Sequence, residues 1–297
     1  MKELTVISGK GGTGKTSIVA SLAVLAENKV LVDCDVDAPD LHLIMEPKTV
    51  ERQIFVGGRE VRILPGHCTA CGKCEEICQF DAVFFDGPGN GIIPKTFRID
   101  QIACEGCGVC AHFCAEHAIE SKDAHSGEWY VSETRYGPMV HARLFPAREN
   151  TGKLVSTVRK RANQLAKELS LGLILVDGPP GIGCPVISSL SGTDHILIVT
   201  EPTLSALHDL RRVHQLATHF GVKCSVCLNK CDLNLEVADE IEAMARREGM
   251  PVLARIAYDN VVTEAQVEGK AVVEFSDGAV SKEIKSLWSK LAPIVLG

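Results

Sequence analysis

The sequence predicts an α/β protein: a doubly wound, mostly parallel sheet interrupted by a small inserted α+β domain. Three observations predict it. Short β-branched runs alternate with helical apolar periods towards both ends of the chain, the pattern of strands joined by crossover helices. A glycine-rich loop follows the first of those runs and opens a helix. Eight of the 13 cysteines fall between Cys68 and Cys114, so the composition shifts abruptly as it would at an insertion.

The main domain is expected over residues 1–55 and 126–297, and the insertion over 60–120. Leu4–Ser8 is the first strand, Ser17–Ala26 the first helix and Val30–Asp33 the second strand. Further strands are expected at Leu171–Asp177, His195–Thr200, Val222–Asn229 and Val252–Ile256. Leu154, Val155, Val158, Ala162, Leu165, Ala166 and Leu169 recur at three- and four-residue steps and form one helix face. Leu204, Leu207, Leu210, Val213, Leu216 and Phe220 form another. Ile284, Leu287, Trp288 and Leu291 share a face of a C-terminal helix over Lys282–Leu291, expected to pack on the sheet rather than on a membrane because it is not notably basic.

Gly9, Lys10, Gly11, Gly12, Thr13, Gly14, Lys15, Thr16 and Ser17 form the expected nucleotide-binding loop, with Gly9–Thr16 matching G-x-x-x-x-G-K-[ST] between strand and helix. Glycines let backbone N–H groups converge on phosphate oxygens, and the helix N-terminus adds positive potential. Lys15 would neutralise the β- and γ-phosphates and Thr16 would ligate Mg²⁺. With Lys10 the loop reads K-G-G-x-G-K-T and resembles the deviant Walker A loop of the MinD/Mrp/nitrogenase-iron-protein superfamily. Leu31-Val32-Asp33-Cys34-Asp35 resembles that family's first switch. Leu173–Asp177 with Gly178-Pro179-Pro180-Gly181 resembles its Walker B strand and second switch, and Thr200-Glu201-Pro202 with Ser205 and Asp209 the segment after it.

The resemblance implies a MinD-like P-loop ATPase that dimerises on ATP, with Lys10 reaching across to the partner's nucleotide. Lys10, Lys15 and Asp35 then carry catalysis, Asp35 by positioning the attacking water, while Asp33 supports the magnesium shell and Asp177 holds Mg²⁺ through water. Asp37 and Asp40 are expected to cap turns or the next helix. Asn229-Lys230-Cys231-Asp232 also fits the guanine-binding N-K-x-D pattern; the resemblance favours ATP held by Asn229, with Asp232 left as a helix cap.

Cys68-x₂-Cys71-x₂-Cys74-x₃-Cys78 recurs as Cys104-x₂-Cys107-x₂-Cys110-x₃-Cys114, the bacterial ferredoxin spacing twice over. The fourth thiolate of each run serves the other cluster, which assigns Cys68, Cys71, Cys74 and Cys114 to one [4Fe–4S] cube and Cys104, Cys107, Cys110 and Cys78 to the second. Zinc sites would need only pairs of cysteines. Gln79 and Ala115 stand where ferredoxins usually have proline, which alters the turn and not the ligation. The Gly/Pro-rich stretch Asp86–Pro94 is expected to link the two repeats.

Among the remaining cysteines, Cys224 and Cys227 are expected in the core on opposite faces of a strand, and Cys184 buried in a Gly/Pro turn, its alternative being contact with a transferred metal. His208, His214 and His219 do not share one helix face and are not expected to form a metal site.

A formal charge of −7, a pI of about 5.8 and few aromatic residues argue against nucleic-acid binding. No apolar run reaches the ~18 residues of a spanning helix and no signal-peptide core follows Met1, so a cytoplasmic location is expected. Three functions compete: an ATP-gated electron-transfer or cluster-assembly protein, a MinD/ParA-like positioning ATPase with structural or redox-sensing clusters, and a GTPase of the same fold. The first is favoured because two clusters are a costly addition to a simple switch. It implies ATP, Mg²⁺ and two [4Fe–4S] clusters as cofactors. It also implies a homodimer, or a heterodimer with a paralogue, and a redox or metal-cluster protein as partner.

Overall fold

A computed structural model describes residues 1–146 and 151–297. The chain forms two compact units. One comprises Met1–Gln53, Trp129–Arg143 and Thr151–Gly297; the other comprises Ile54–Glu128 and the segment that begins at Leu144. Eleven strands are present among the described residues: β1 Lys2–Ser8, β2 Lys29–Asp33, β3 Lys48–Ile63, β4 Val83–Pro88, β5 Lys95–Ile99, β6 Ile119–Thr134, β7 Gly137–Leu144, β8 Leu173–Pro180, β9 His195–Thr200, β10 Lys223–Asn229 and β11 Val252–Ile256.

Nine strands pair in the order β11-β10-β9-β1-β8-β2-β7-β6-β3, and from β11 through β7 every neighbouring pair is parallel. Strands β2 and β9 are buried along their whole length, as apolar runs covered on both faces must be. Alternation assigns each side chain to a face. Leu197, Val199 and Cys227 join a core with the helices Lys15–Leu25 and Ala279–Leu296, while Ile196, Ile198, Val226 and Leu228 join a second core with the helices Leu204–His219 and Leu235–Arg247. Cys224 lies in that second core, so Cys224 and Cys227 sit on opposite faces. Ile284, Leu287 and Leu291 are buried and Trp288 packs beside them, which places the C-terminal helix on the sheet.

Several bounds differ from expectation. The first helix begins at Lys15 rather than Ser17, and β8 starts two residues later than expected and runs on to Pro180, with a register shift between Val6 and Ser8 in its partner β1. Strands β3, β4, β5, β6 and β7 were not anticipated.

In the second unit β4 and β5 pair antiparallel, Val83 opposite Ile99. Asp86–Pro88 therefore belongs to a strand, and the expected repeat linker is a hairpin. Val61, Val83, Phe97, Ile99 and Ile119 form a small core. The two cysteine runs adopt matching backbones: left-handed residues recur at Ala70 and Gly106, Gly72 and Gly108, Asp81 and His117. Each pair has the same spacing as Cys68 and Cys104, since 106 − 70 = 108 − 72 = 117 − 81 = 104 − 68 = 36. The sequence repeat is a structural repeat.

Candidate functional site

The glycine loop leaves the carboxyl end of β1, an interior strand, and open parallel sheets bind ligands in the crevice outside the carboxyl ends of their strands. Gly12 and Gly14 take φ of 79° and 87°, a left-handed region that side chains disfavour. Gly14 caps the helix Lys15–Leu25 without any side-chain hydrogen bond, so its first N–H groups face the loop. A cavity of about 620 Å³ opens there, lined by Gly11 through Ser17 and by Asp35, Asn229 and Tyr258. Its volume is within the usual range for a small-molecule site.

Register brings the acids together: Val6 of β1 and Asp33 of β2 both lie opposite Asp177 of β8. The Lys15 ammonium is ion-paired with Asp177, and Thr16 donates its hydroxyl hydrogen to the same carboxylate at 2.8 Å. Burial alone would lower Lys15, but the charge of Asp177, with Asp33 and Asp35 behind it, holds it above the ordinary lysine value. Burial pushes Asp35 up to about 6 against the pull of Lys15. Burial, and then the charge of Asp177, hold the Asp33 carboxyl well above the ordinary value, so Asp35 and Asp177 are the carboxylates that face the Lys15 ammonium, and their excess of negative charge suits a divalent cation.

Asp33 is fully buried, and its two oxygens accept from the N–H of Asp35 at 3.0 Å and of Leu41 at 3.3 Å. It therefore anchors the loop that carries Asp35, and lies behind the cavity beside Asp177 and Lys15. Asp37 and Asp40 do line the cavity. Asp40 precedes the helix Leu41–Met45 without capping it through its side chain, contrary to expectation.

On the other wall Asn229 donates from Nδ2 to the Thr13 carbonyl at 2.8 Å, leaving its amide oxygen as the available acceptor. Asp232 does not cap a helix. Its carboxylate accepts from the Tyr258 N–H at 2.7 Å, while Asn234 caps Leu235–Arg247. Lys10 lies 2.6 Å from Glu201 and 3.2 Å from the Thr203 hydroxyl, on the segment after β9. Cys184 is exposed at the start of the helix Cys184–Leu190, next to the exposed Gly183, and not buried as expected.

In the second unit the eight thiols divide crosswise between two cavities. Cys68, Cys71, Cys74 and Cys114 line one; Cys78, Cys104, Cys107 and Cys110 line the other. The N–H groups of Ala70 and Gly106 point at the sulfurs of Cys68 and Cys104, each at 3.4 Å, and the Ala118 N–H at that of Cys114 at 3.3 Å. Burial raises the thiols of Cys74, to about 11, and of Cys104 and Cys110, so any metal that takes them displaces protons. Among the described residues no three His, Cys, Asp or Glu side chains converge closely enough to hold a single metal ion. Thiols spread round the walls of a cavity suit a polynuclear group, which takes one thiolate per metal, better than a mononuclear ion.

A family model described as the CobQ/CobB/MinD/ParA nucleotide binding domain matches residues 4–272. The chain belongs to that family. An uncharacterised protein of Methanocaldococcus jannaschii is 33% identical over 297 residues, 99% of this chain and 97% of its own. A protein of Pyrococcus horikoshii named an iron-sulfur cluster carrier is 28% identical over 97% of this chain and 85% of its own. Among solved structures, the cell division ATPase MinD of Pyrococcus furiosus superposes with a TM-score of 0.59 at 19% identity, covering 99% of both chains. MinD of Pyrococcus horikoshii, solved with Mg-ADP, gives 0.58 at 17%, covering 98% of this chain and 95% of that one. At such identities these two likenesses show the fold alone.

As a MinD/ParA-type P-loop ATPase domain, the chain places residues at its nucleotide cavity that sequence reasoning missed. Tyr258, Val262 and Gln266 line the cavity, and Gln266 also donates to the Ser17 hydroxyl at 2.8 Å. Ala257-Tyr258-Asp259 directly after the last strand was the available signal, since loops at the carboxyl ends of parallel strands build such sites. No helix among the described residues is long and apolar enough to cross a membrane.

Proposed function

We propose that this chain is an ATP-hydrolysing iron–sulfur protein, in which residues 1–55 and 126–297 form the ATPase domain and residues 60–120 a ferredoxin-type domain with two [4Fe–4S] clusters. The crosswise division of eight thiols between two cavities carries the reading, because it matches the ligand sharing that the doubled spacing requires. Such clusters exchange one electron at a time with protein donors and acceptors. Six of the eight thiols pack against an apolar core, which favours clusters that stay in place and hence ATP-gated electron transfer. Delivery of a cluster to a recipient is the second reading, favoured by the name of the Pyrococcus horikoshii relative.

In the ATPase domain the N–H groups of the glycine loop receive the phosphates, and Lys15 leaves Asp177 to meet the β- and γ-oxygens. Thr16 and Asp177 would then hold the Mg²⁺ that neutralises those oxygens. Asp35 faces the cavity and, with its carboxyl at about 6, is ionised at neutral pH and able to orient the attacking water. The Asn229 oxygen accepts from an adenine amino group, whereas one Asp232 oxygen is already taken by the Tyr258 N–H and the residue is not among those that line the cavity, which disfavours a guanine donor pair there. Lys10 acts across an ATP-dependent dimer.

Anaerobic isolation with iron and sulfide analysis tests the clusters: about eight of each per chain is expected, since two four-iron cubes use all eight thiols. Zinc filling the sites in protein never exposed to oxygen would refute the assignment. Incubation with an apo-ferredoxin separates the two readings: retention of iron supports electron transfer and its loss to the recipient supports delivery. For the nucleotide, calorimetry should show ATP bound more tightly than GTP and binding lost in Lys15→Ala; a tight, GTP-selective affinity would sink the ATP assignment.

A further inference from the structure

Lys10 is already engaged within its own chain. Its ammonium meets Glu201 at 2.6 Å and the Thr203 hydroxyl at 3.2 Å. Both acceptors are fixed. Thr203 caps the helix Leu204–His219 by accepting from the Ala206 N–H at 3.2 Å, and Glu201 also accepts from Lys230 at 3.2 Å, whose other bond, 2.7 Å long, goes to the Gly12 carbonyl. The Glu201 side chain is only 12% exposed against 33% for Lys10, so the pair is screened less than a surface ion pair. Burial pushes the Glu201 carboxyl up, but the two lysines reverse this and hold it below the ordinary value.

We propose that Glu201 is a positioning residue that latches Lys10 onto its own chain, so that Lys10 reaches a partner's nucleotide only by giving up Glu201. The inference rests on the ATP-dependent dimer proposed above and deepens it by naming what opposes assembly. A carboxylate offers one negative charge, and a nucleotide displaces it only by offering more. The γ-phosphate supplies that excess and ADP supplies less of it; the latch weakens assembly by the same factor with either nucleotide, which leaves the weaker ADP dimer below the level at which it forms while the ATP dimer still assembles.

The test compares the parent with Glu201→Gln, which keeps the shape and removes the charge, and with Glu201→Asp, which shortens the reach. Light scattering gives the dimer dissociation constant at fixed ATP or ADP, and calorimetry gives ADP affinity in the single chain. Each exposed or partly exposed pair is worth a factor of about two to five, and two latches open per dimer, so Glu201→Gln should dimerise about 4- to 25-fold more tightly with ATP. It should also form a detectable dimer with ADP, at unchanged single-chain ADP affinity, and Glu201→Asp should fall between. The same shift should survive in a Lys230→Met background, since the latch acts through Lys10. Variants that dimerise no more readily than a parent that does dimerise overturn the latch and leave the dimer standing, as does a shift that disappears with Lys230. A parent that forms no dimer with ATP overturns both.

Discussion

Asp33 and Asp232 show how far a single residue can be read from its neighbours in sequence. Both belong to recognisable patterns, yet each is decided by a backbone N–H that approaches from elsewhere: Leu41 for Asp33 and Tyr258 for Asp232. The glycine loop was legible because its work is done by adjacent residues at fixed spacing; the partners of those two acids were not, because they are set by the fold. His141 makes a related point about charge. It stacks on Tyr130, bonds the Ser132 hydroxyl at 2.9 Å and is pushed down to about 4 by burial, with His42 adding to the effect. Between pH ~6.5 and ~4 the unfolded chain binds a proton there that the folded chain refuses, so stability falls as the pH drops through that window, by up to about 3 kcal/mol. Urea midpoints at pH 4.5 and 7 measure it. His141→Gln should flatten this part of the profile, and an unchanged slope would show that other groups are responsible.

At the scale of the element, the strands that were legible are those buried on both faces, where apolar runs are unavoidable. Strand β3, at the edge of the nine-stranded sheet, carries Lys48, Glu51, Arg52, Arg59, Glu60 and Arg62 and reads as loop; charge on an edge strand is a protection against pairing with other chains. Strand β6 has Ser, Lys, Asp, His and Glu in its first ten residues and hides in the same way. The helices Leu204–His219 and Ala279–Leu296 were clearer because one face of each is apolar, whereas Leu235–Arg247, equally amphipathic, was not anticipated. Leu287, fully buried on the helix Ala279–Leu296, should cost about 2–5 kcal/mol when replaced by alanine, read as a lower midpoint of thermal or urea unfolding. Asp232→Ala should weaken nucleotide binding by freeing the Tyr258 backbone, without moving the preference towards GTP; calorimetry with both nucleotides decides this.

For the molecule as a whole, the mostly parallel sheet and the cysteine-rich segment were legible in the pattern, whereas the strand order and the pairing of distant segments were not. β1 lies between β8 and β9, partners from the far half of the chain, and such non-local pairing slows folding. The cysteine cavities obey the same logic, and it can be measured. In anaerobic protein, Cys78→Ser should damage the cluster otherwise held by Cys104, Cys107 and Cys110, and Cys114→Ser the one held by Cys68, Cys71 and Cys74, as read by iron content and by the loss of one of two paramagnetic signals; damage confined to the mutated run would refute crossed ligation. The crossing also sets a timetable. A chain emerges from the ribosome N-terminus first, and while only the first run is out, one cavity has three of its four thiols and the other has one. The first cavity is completed only by Cys114, the last cysteine of the second run, so neither can be filled in its final form on a half-made chain.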